Sequence, residues 1–235
     1  MVCWYYIVYF ADFFAFQTLQ MAKYAAAYSD FTIVDGTHNT TVYDLKFITF
    51  TNVNCLGKNV VTGFMLDESE NTATLLQSLQ LFKLNTPGAT LMTDGGSAYP
   101  GVATNAGMIH ILCTHHFQQE IFSSCGGMGP MSDIFKKDAM ALIYSSFPSI
   151  ECFELQANKC LEQYISFPSA SACIRKILKE KKKVCRAYTG NEVWTPSKWI
   201  SFFNWMFLNQ VDASLVTTWP RREEKALTPA SRRRA

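Results

Sequence analysis

The sequence predicts a mixed α/β fold, and three observations carry that prediction. Two short apolar runs, Phe31–Thr37 and Thr90–Gly96, each deliver a single aspartate, Asp35 or Asp94, into a Gly/Thr turn. Short runs rich in Thr, Ile, Val and Phe that end at glycine read as strands. Between the two runs the apolar period changes, from alternation over residues 42–66 to a helical spacing after Asn71. Hydrophobic residues make up 49% of the chain and charged residues 17%, which permits a sizeable core and excludes global disorder.

Taken in order, Phe31–Thr37 is the first strand of this core, closed by Gly36. Val42–Val53 alternates around Tyr43, Leu45, Phe47 and Thr49 and reads as a second strand; Gly57-Lys-Asn59 is a turn and Val60–Leu66 a third strand. Short links favour an antiparallel meander. Asn71 can cap a helix whose apolar face is Leu75, Leu76, Leu79 and Phe82, with Pro87-Gly88 as its stop. Thr90–Thr93 is a fourth strand, continuously apolar as buried parallel strands are. Gly95–Gly107 reads as a loop or a short, poor helix, Met108–Cys113 as a fifth strand, and a helix starts at His115. A three-strand antiparallel meander followed by parallel crossover strands is the order of the ribonuclease H-like fold. That order lays the first and fourth strands side by side and makes Asp35 and Asp94 neighbours.

The flanks divide the chain further. Residues 1–30 form an apolar N-terminal segment, read as a buried strand or helix or as the remnant of a longer upstream region. Met1–Phe16 lacks a basic leader, carries Asp12 and is short for a membrane span of about 20 residues, so no membrane partner is expected. Residues 31–125 form the expected core. Beyond the break at Gly126-Gly-Met-Gly-Pro130, residues 126–190 read as a helical insertion, partly basic. Residues 191–235 are an atypical tail in which aromatic Trp199–Phe207 gives way to a Pro/Arg segment.

Length and charge narrow the classes. A chain of 235 residues suits one large domain, or one domain with an insertion. Net charge is +2, yet residues 221–235 alone hold six Arg or Lys and two Glu, a local +4, so the remainder sums to −2. The body is not broadly basic, and any nucleic-acid footprint is local. The eight cysteines include no Cys-x-x-Cys pair, and a chain of this size needs no disulfide staples, so reduced intracellular thiols are expected. Cys113-x-x-His116 is half of a zinc pattern, but no second half follows at finger-like spacing.

One constellation is more specific. Asp35-Gly-Thr-His-Asn-Thr-Thr-Val-Tyr43, Gly57-Lys, Glu70 before a Leu-rich helix, Thr93-Asp94 and Cys113-x-x-His116 occur in that order, preceded by Phe14-Ala-Phe-Gln-Thr18 and Tyr28-Ser-Asp-Phe31. Over roughly residues 14–190 this resembles the Mutator-like element (MULE) transposase domain. The resemblance implies cut-and-paste DNA transposition by an Asp-Asp-Glu site, acting on terminal inverted repeats and target DNA. It further implies Mg²⁺ or Mn²⁺ as cofactor, a nuclear location and a possible homo-oligomer. The residue types suit that chemistry: magnesium takes hard oxygen ligands, and two ions bridged by carboxylates activate an attacking oxygen and stabilise the leaving one. On this reading Asp35 bridges both ions and Asp94 completes one of them.

Each residue also has a plainer reading. Either aspartate alone is a turn residue, since Asp-Gly is common in turns; the pair at matched strand ends favours a site. Cys113 and His116 either orient DNA or a neighbour of the metal site, or are a buried thiol and its hydrogen-bonded histidine. Glu70 is read as a helix-capping charge in preference to a catalytic one. Arg175–Arg186 holds seven basic residues and one glutamate. Arg175, Lys176, Lys179, Lys181, Lys182 and Lys183 are candidate DNA-phosphate contacts, or a solvated helix face. The third acid of the family, a glutamate in a Ser-Glu-Ser context after the insertion, has no clear counterpart. Tyr188-Thr-Gly-Asn191 resembles the approach to it, and Glu192 is the nearby candidate. The core is therefore read as incomplete. The alternative is a catalytically dead, domesticated or relic DNA-binding protein on the same scaffold.

Overall fold

Alternating Val, Ile, Phe and Thr residues build a single seven-stranded sheet. The computed structural model describes residues 5–9, 13–37, 45–123 and 128–189. The strands are β1 (Tyr5–Tyr9), β2 (Phe13–Thr18), β3 (Phe31–Thr37), β4 (Lys46–Val53), β5 (Asn59–Asp67), β6 (Thr90–Thr93) and β7 (Ile109–Leu112), in the spatial order β1-β2-β5-β4-β3-β6-β7. β3, β4 and β5 form the predicted antiparallel meander. β6 joins β3 in parallel and β7 joins β6 in parallel.

The expected boundary at residue 31 is not where the sheet begins. β2 pairs antiparallel with β5, matching Phe13 to Asp67 and Phe16 to Phe64, and β1 pairs with β2. Phe13 and Ala15 are buried, so apolar residues read as a flank are part of the sheet core. Thr18 then caps α1 (Leu19–Ala27), its hydroxyl accepting from Met21 N at 3.1 Å.

α2 (Thr72–Leu81) and α3 (Tyr99–Ala106) cover the sheet. Asn71 caps α2 as predicted, its Oδ1 accepting from Ala73 N and Thr74 N at 3.0 Å. Leu75, Leu79 and Phe82 are buried against the sheet. α2 ends before Pro87, in a Schellman turn: Leu84 N donates to Leu79 O at 2.8 Å and Lys83 N to Gln80 O at 3.1 Å. Lys83 thereby takes a left-handed φ of 59°. α3 ends in the same kind of turn, with Met108 N donating to Ala103 O at 2.9 Å, and there the left-handed position is Gly107. The segment expected to be a loop or poor helix is thus a well-terminated helix that buries Tyr99, Val102 and Ala103.

Five helices follow: α4 (Thr114–Ser123), α5 (Met131–Tyr144), α6 (Ile150–Gln163), α7 (Pro168–Val184) and α8 (Arg186–Thr189). They build a second core around Phe135, Phe153, Tyr164, Ile174 and Ile177, to which Leu112 of β7 and Phe117 and Ile121 of α4 also belong. Phe135 and Tyr164 meet edge to face with ring centroids 5.0 Å apart. Among the described residues no helix is long and apolar enough to cross a membrane.

Candidate functional site

The site forms where β3 and β6 end. The parallel register pairs Phe31 with Thr90, Thr32 with Leu91 and Ile33 with Met92, a constant offset of 59 residues. Continued past the paired residues, the same offset points Asp35 toward Asp94 just beyond the end of β6, and the two carboxylates are near enough for the Asp94 charge to raise Asp35. Neighbouring strands lie about 4.8 Å apart. Asp35 is 5% exposed, while Asp94, one residue past β6, is half-buried. Asp94 Oδ1 accepts from Gly96 N at 3.0 Å. The turn needs Gly95, whose φ is +95°.

Asp35 has no hydrogen-bond partner within bonding distance among the described residues; its one ionic neighbour is His116, with Nε2 3.9 Å from Oδ1. Burial raises the Asp35 carboxyl from its ordinary 3.8 to about 6; the His116 charge opposes this, and the charges of Asp94 and Glu70 add to it. His116 stands on the first turn of α4. Its hydrogen bond with Cys113, and less strongly the charges of Cys113, Asp35 and Asp94, raise it to about 8 against the opposing effect of burial. Cys113 is itself 3% exposed. The predicted Cys-x-x-His pair is therefore brought to the two aspartates, with the histidine as the element that reaches them.

Glu70 was expected to cap a helix, and it does not. No acidic residue lies in the first turn of α2, whose cap is Asn71. Glu70 instead turns toward the site: its carboxylate accepts from the Tyr99 hydroxyl, and Lys46 Nζ lies 3.9 Å from Oε2. A Cβ added to Gly36 would meet Glu70 Oε1 at 3.2 Å, so the glycine after Asp35 leaves room for this carboxylate. Tyr99 is 1% exposed, and burial, then the Glu70 charge, hold its phenol well above its ordinary value. Glu70, Tyr99 and Lys46 were not recognised from sequence as a unit. Gly36 directly after Asp35, and Tyr99 shortly after Asp94-Gly-Gly, were the available signals.

Behind the site, Thr93 Oγ1 and His110 Nε2 are 3.0 Å apart. Burial, and secondarily Lys183, lower His110 to about 4, so it stays neutral. Cys55, Cys113, Cys152, Cys160, Cys173 and Cys185 are in no disulfide. Among the described residues no group of three or more His, Cys, Asp or Glu side chains gathers at ligand spacing. The acidic groups at these two strand ends are the buried Asp35, without a hydrogen-bond partner among the described residues, and the half-buried Asp94. That fits a hard divalent ion of the magnesium type, which is commonly bound by one or two carboxylates with water or substrate phosphate completing its shell. Glu192 lies outside the described residues, as do the tail after Thr189 and the segment His38–Tyr43 of the first motif.

Residues 8–93 match a family model described as "Zinc finger SWIM domain-containing protein 1/3, RNaseH-like domain". The match spans β2 through β6, includes Asp35 and stops one residue short of Asp94. Comparison with curated proteins gave no match. The fold is ribonuclease H-like, a mixed sheet with antiparallel and parallel strands and covering helices.

Proposed function

We propose that this chain is a Mutator-like transposase core, incomplete in its third acid, that binds DNA and acts on its phosphodiester bonds through Asp35 and Asp94. The observation that supports the reading is the parallel pairing of β3 with β6, which puts Asp35 and the end of the strand before Asp94 side by side although the two aspartates are 59 residues apart in sequence. Asp35 and Asp94 would hold Mg²⁺ or Mn²⁺, which would supply Lewis-acid activation of a phosphodiester. His116, held to about 8, places a positive charge beside Asp35 when no other cation is there. Cys113 lies beside the His116 ring and favours its charged form. Tyr99 and Lys46 fix Glu70 behind Gly36, and its negative charge favours a cation at Asp35.

The test is nicking of supercoiled DNA with Mg²⁺ or Mn²⁺, paired with Mn²⁺ binding followed by electron paramagnetic resonance. Asp35→Asn and Asp94→Asn are each expected to abolish nicking and weaken Mn²⁺ binding while the fold is retained. Normal cleavage by Asp35→Asn would sink the assignment. A second reading, DNA binding without cleavage, is favoured by one observation: Glu70 is already engaged by Tyr99 and Lys46, so the described residues offer two available carboxylates. DNA binding with no metal-dependent nicking by the wild-type chain would select it. Nuclear residence and a homo-oligomer belong to the same proposal, to be checked by imaging a tagged chain and by sedimentation.

A further inference from the structure

Of the six cationic residues at Arg175–Lys183, three are committed inside the molecule. Lys176 pairs with Glu120 and lies over the Phe117 ring, 5.8 Å from its centroid. Lys181 pairs with Glu154 and lies over Tyr188 at 5.4 Å. Lys183 Nζ is 2.9 Å from Glu180 Oε2. The other three, Arg175, Lys179 and Lys182, are exposed and have no ion-pair or hydrogen-bond partner among the described residues. Their spacing of four and then three residues places them on one face of α7. At 1.5 Å of rise per residue they mark a line about 10 Å long.

The opposite face of α7 is anchored. Cys173, Ile174, Ile177 and Val184 are buried in the helical core, and Cys173 Sγ contacts Ile121 O of α4 at 3.8 Å. The line of cations is therefore presented by a fixed helix. One strand of a DNA duplex carries about one phosphate per 3.4 Å of axis, so about 10 Å of it offers about one phosphate to each of the three cations.

We propose that Arg175, Lys179 and Lys182 form a ridge that tracks the phosphate backbone of a nucleic-acid duplex, while Lys176, Lys181 and Lys183 are structural. This rests on the nucleic-acid reading above but not on its metal chemistry. It divides a basic segment that the sequence alone presents as uniform.

The experiment compares the full chain with two triple variants, Arg175→Gln/Lys179→Gln/Lys182→Gln and Lys176→Gln/Lys181→Gln/Lys183→Gln. Binding to a labelled mixed-sequence DNA duplex of about 20 base pairs is followed by fluorescence anisotropy, in EDTA, across salt concentration. Each phosphate contact contributes about 0.9 to the slope of log affinity against log salt, so the ridge variant is expected to lose about 2.7 from that slope. Equivalently, between about 50 and about 200 mM salt the wild-type affinity should fall about 40-fold more than the variant's. The second variant should keep the wild-type slope and unfold at lower urea. An unchanged slope in the ridge variant, an equal loss in both variants, or no salt-dependent binding by the wild-type chain would each overturn the proposal. Because EDTA removes divalent ions, failure of metal-dependent nicking leaves this result independent.

Discussion

Replacing Asp35 with Asn is expected to stabilise the folded chain at neutral pH, although it removes a residue of the candidate site. The side chain is 5% exposed, and burial raises its carboxyl from 3.8 to about 6. A carboxyl whose folded value is raised binds its proton more tightly in the folded state. Relative to the protonated form, its effect on stability is therefore nil below 3.8, grows unfavourable as pH rises from 3.8 to about 6, and is constant above. A shift of about two units at about 1.4 kcal/mol each sets an upper limit of about 3 kcal/mol. His116 also loses a nearby anion in the variant, so the expected net gain is about 1–3 kcal/mol. The assay is urea unfolding of both proteins at several pH values between about 4 and about 7.5. The gap between them should open as pH rises. A flat gap, or an Asn variant less stable than wild type at neutral pH, would refute the reasoning, because Asp35 would then be held by favourable contacts. Added Mg²⁺ is expected to raise the wild-type midpoint and leave the variant's in place.

Other substitutions probe the frame around the site. A Cβ at Gly63 would lie 2.6 Å from Phe82 Cε2, and Phe82 packs edge to face on Phe50 with centroids 5.2 Å apart. Gly63→Ala should therefore cost about 1–3 kcal/mol by overpacking, and less in a Phe82→Leu background, as a double-mutant cycle in urea would show. Lys83→Gly should stabilise by about 1 kcal/mol, since Lys83 holds the left-handed position that Gly107 fills at the end of α3; a lower melting temperature would count against the turn. His116, raised from 6.5 to about 8, contributes stability that is complete below 6.5 and lost as pH rises through 8. His116→Gln should remove up to about 2 kcal/mol at the acidic end of that window and little above it, read from urea midpoints between about pH 6 and about pH 9.

The strand–strand–strand–helix–strand order was legible because each element is short, bounded by Gly, Pro or Asn, and of one clear period. That β3 and β6, the strands leading to Asp35 and Asp94, lie side by side followed from that order without any knowledge of contacts. What was not legible depended on long-range pairing. Phe13–Thr18 reads as an apolar flank until β5 is there to pair with it. Gly95–Gly107 has poor helix propensity, yet Tyr99, Val102 and Ala103 bury one face and Gly107 closes the turn, so packing overrides propensity. Glu70 sits beside a helix start, where a capping role is the local expectation. The close approach of Gly36 and the hydroxyl of Tyr99, which draw it to the site, are visible only in three dimensions. The basic stretch of α7 likewise gives no hint in sequence that Glu120 and Glu154 engage two of its lysines.

α4 links the two halves of the molecule physically. Its first turn carries His116, 3.9 Å from Asp35. Phe117, the next residue, and Ile121, more than a turn further on, are buried in the helical core, with Phe135, Phe153 and Ile174 among that cluster. Glu120 on the same helix meets Lys176 of α7, and Ile121 O contacts Cys173 Sγ. A rigid helix transmits a shift at one end to the other, because its backbone bonds resist bending within so few turns. The position of His116 over Asp35 is therefore set by the packing of helices that carry no site residue themselves. The helical layer is part of the electrostatic environment of the aspartates. Ile174 and Ile177 of α7 and Ile121 and Phe117 of α4 belong to one buried cluster, so the face of α7 opposite the exposed cations and the helix that carries His116 share a core.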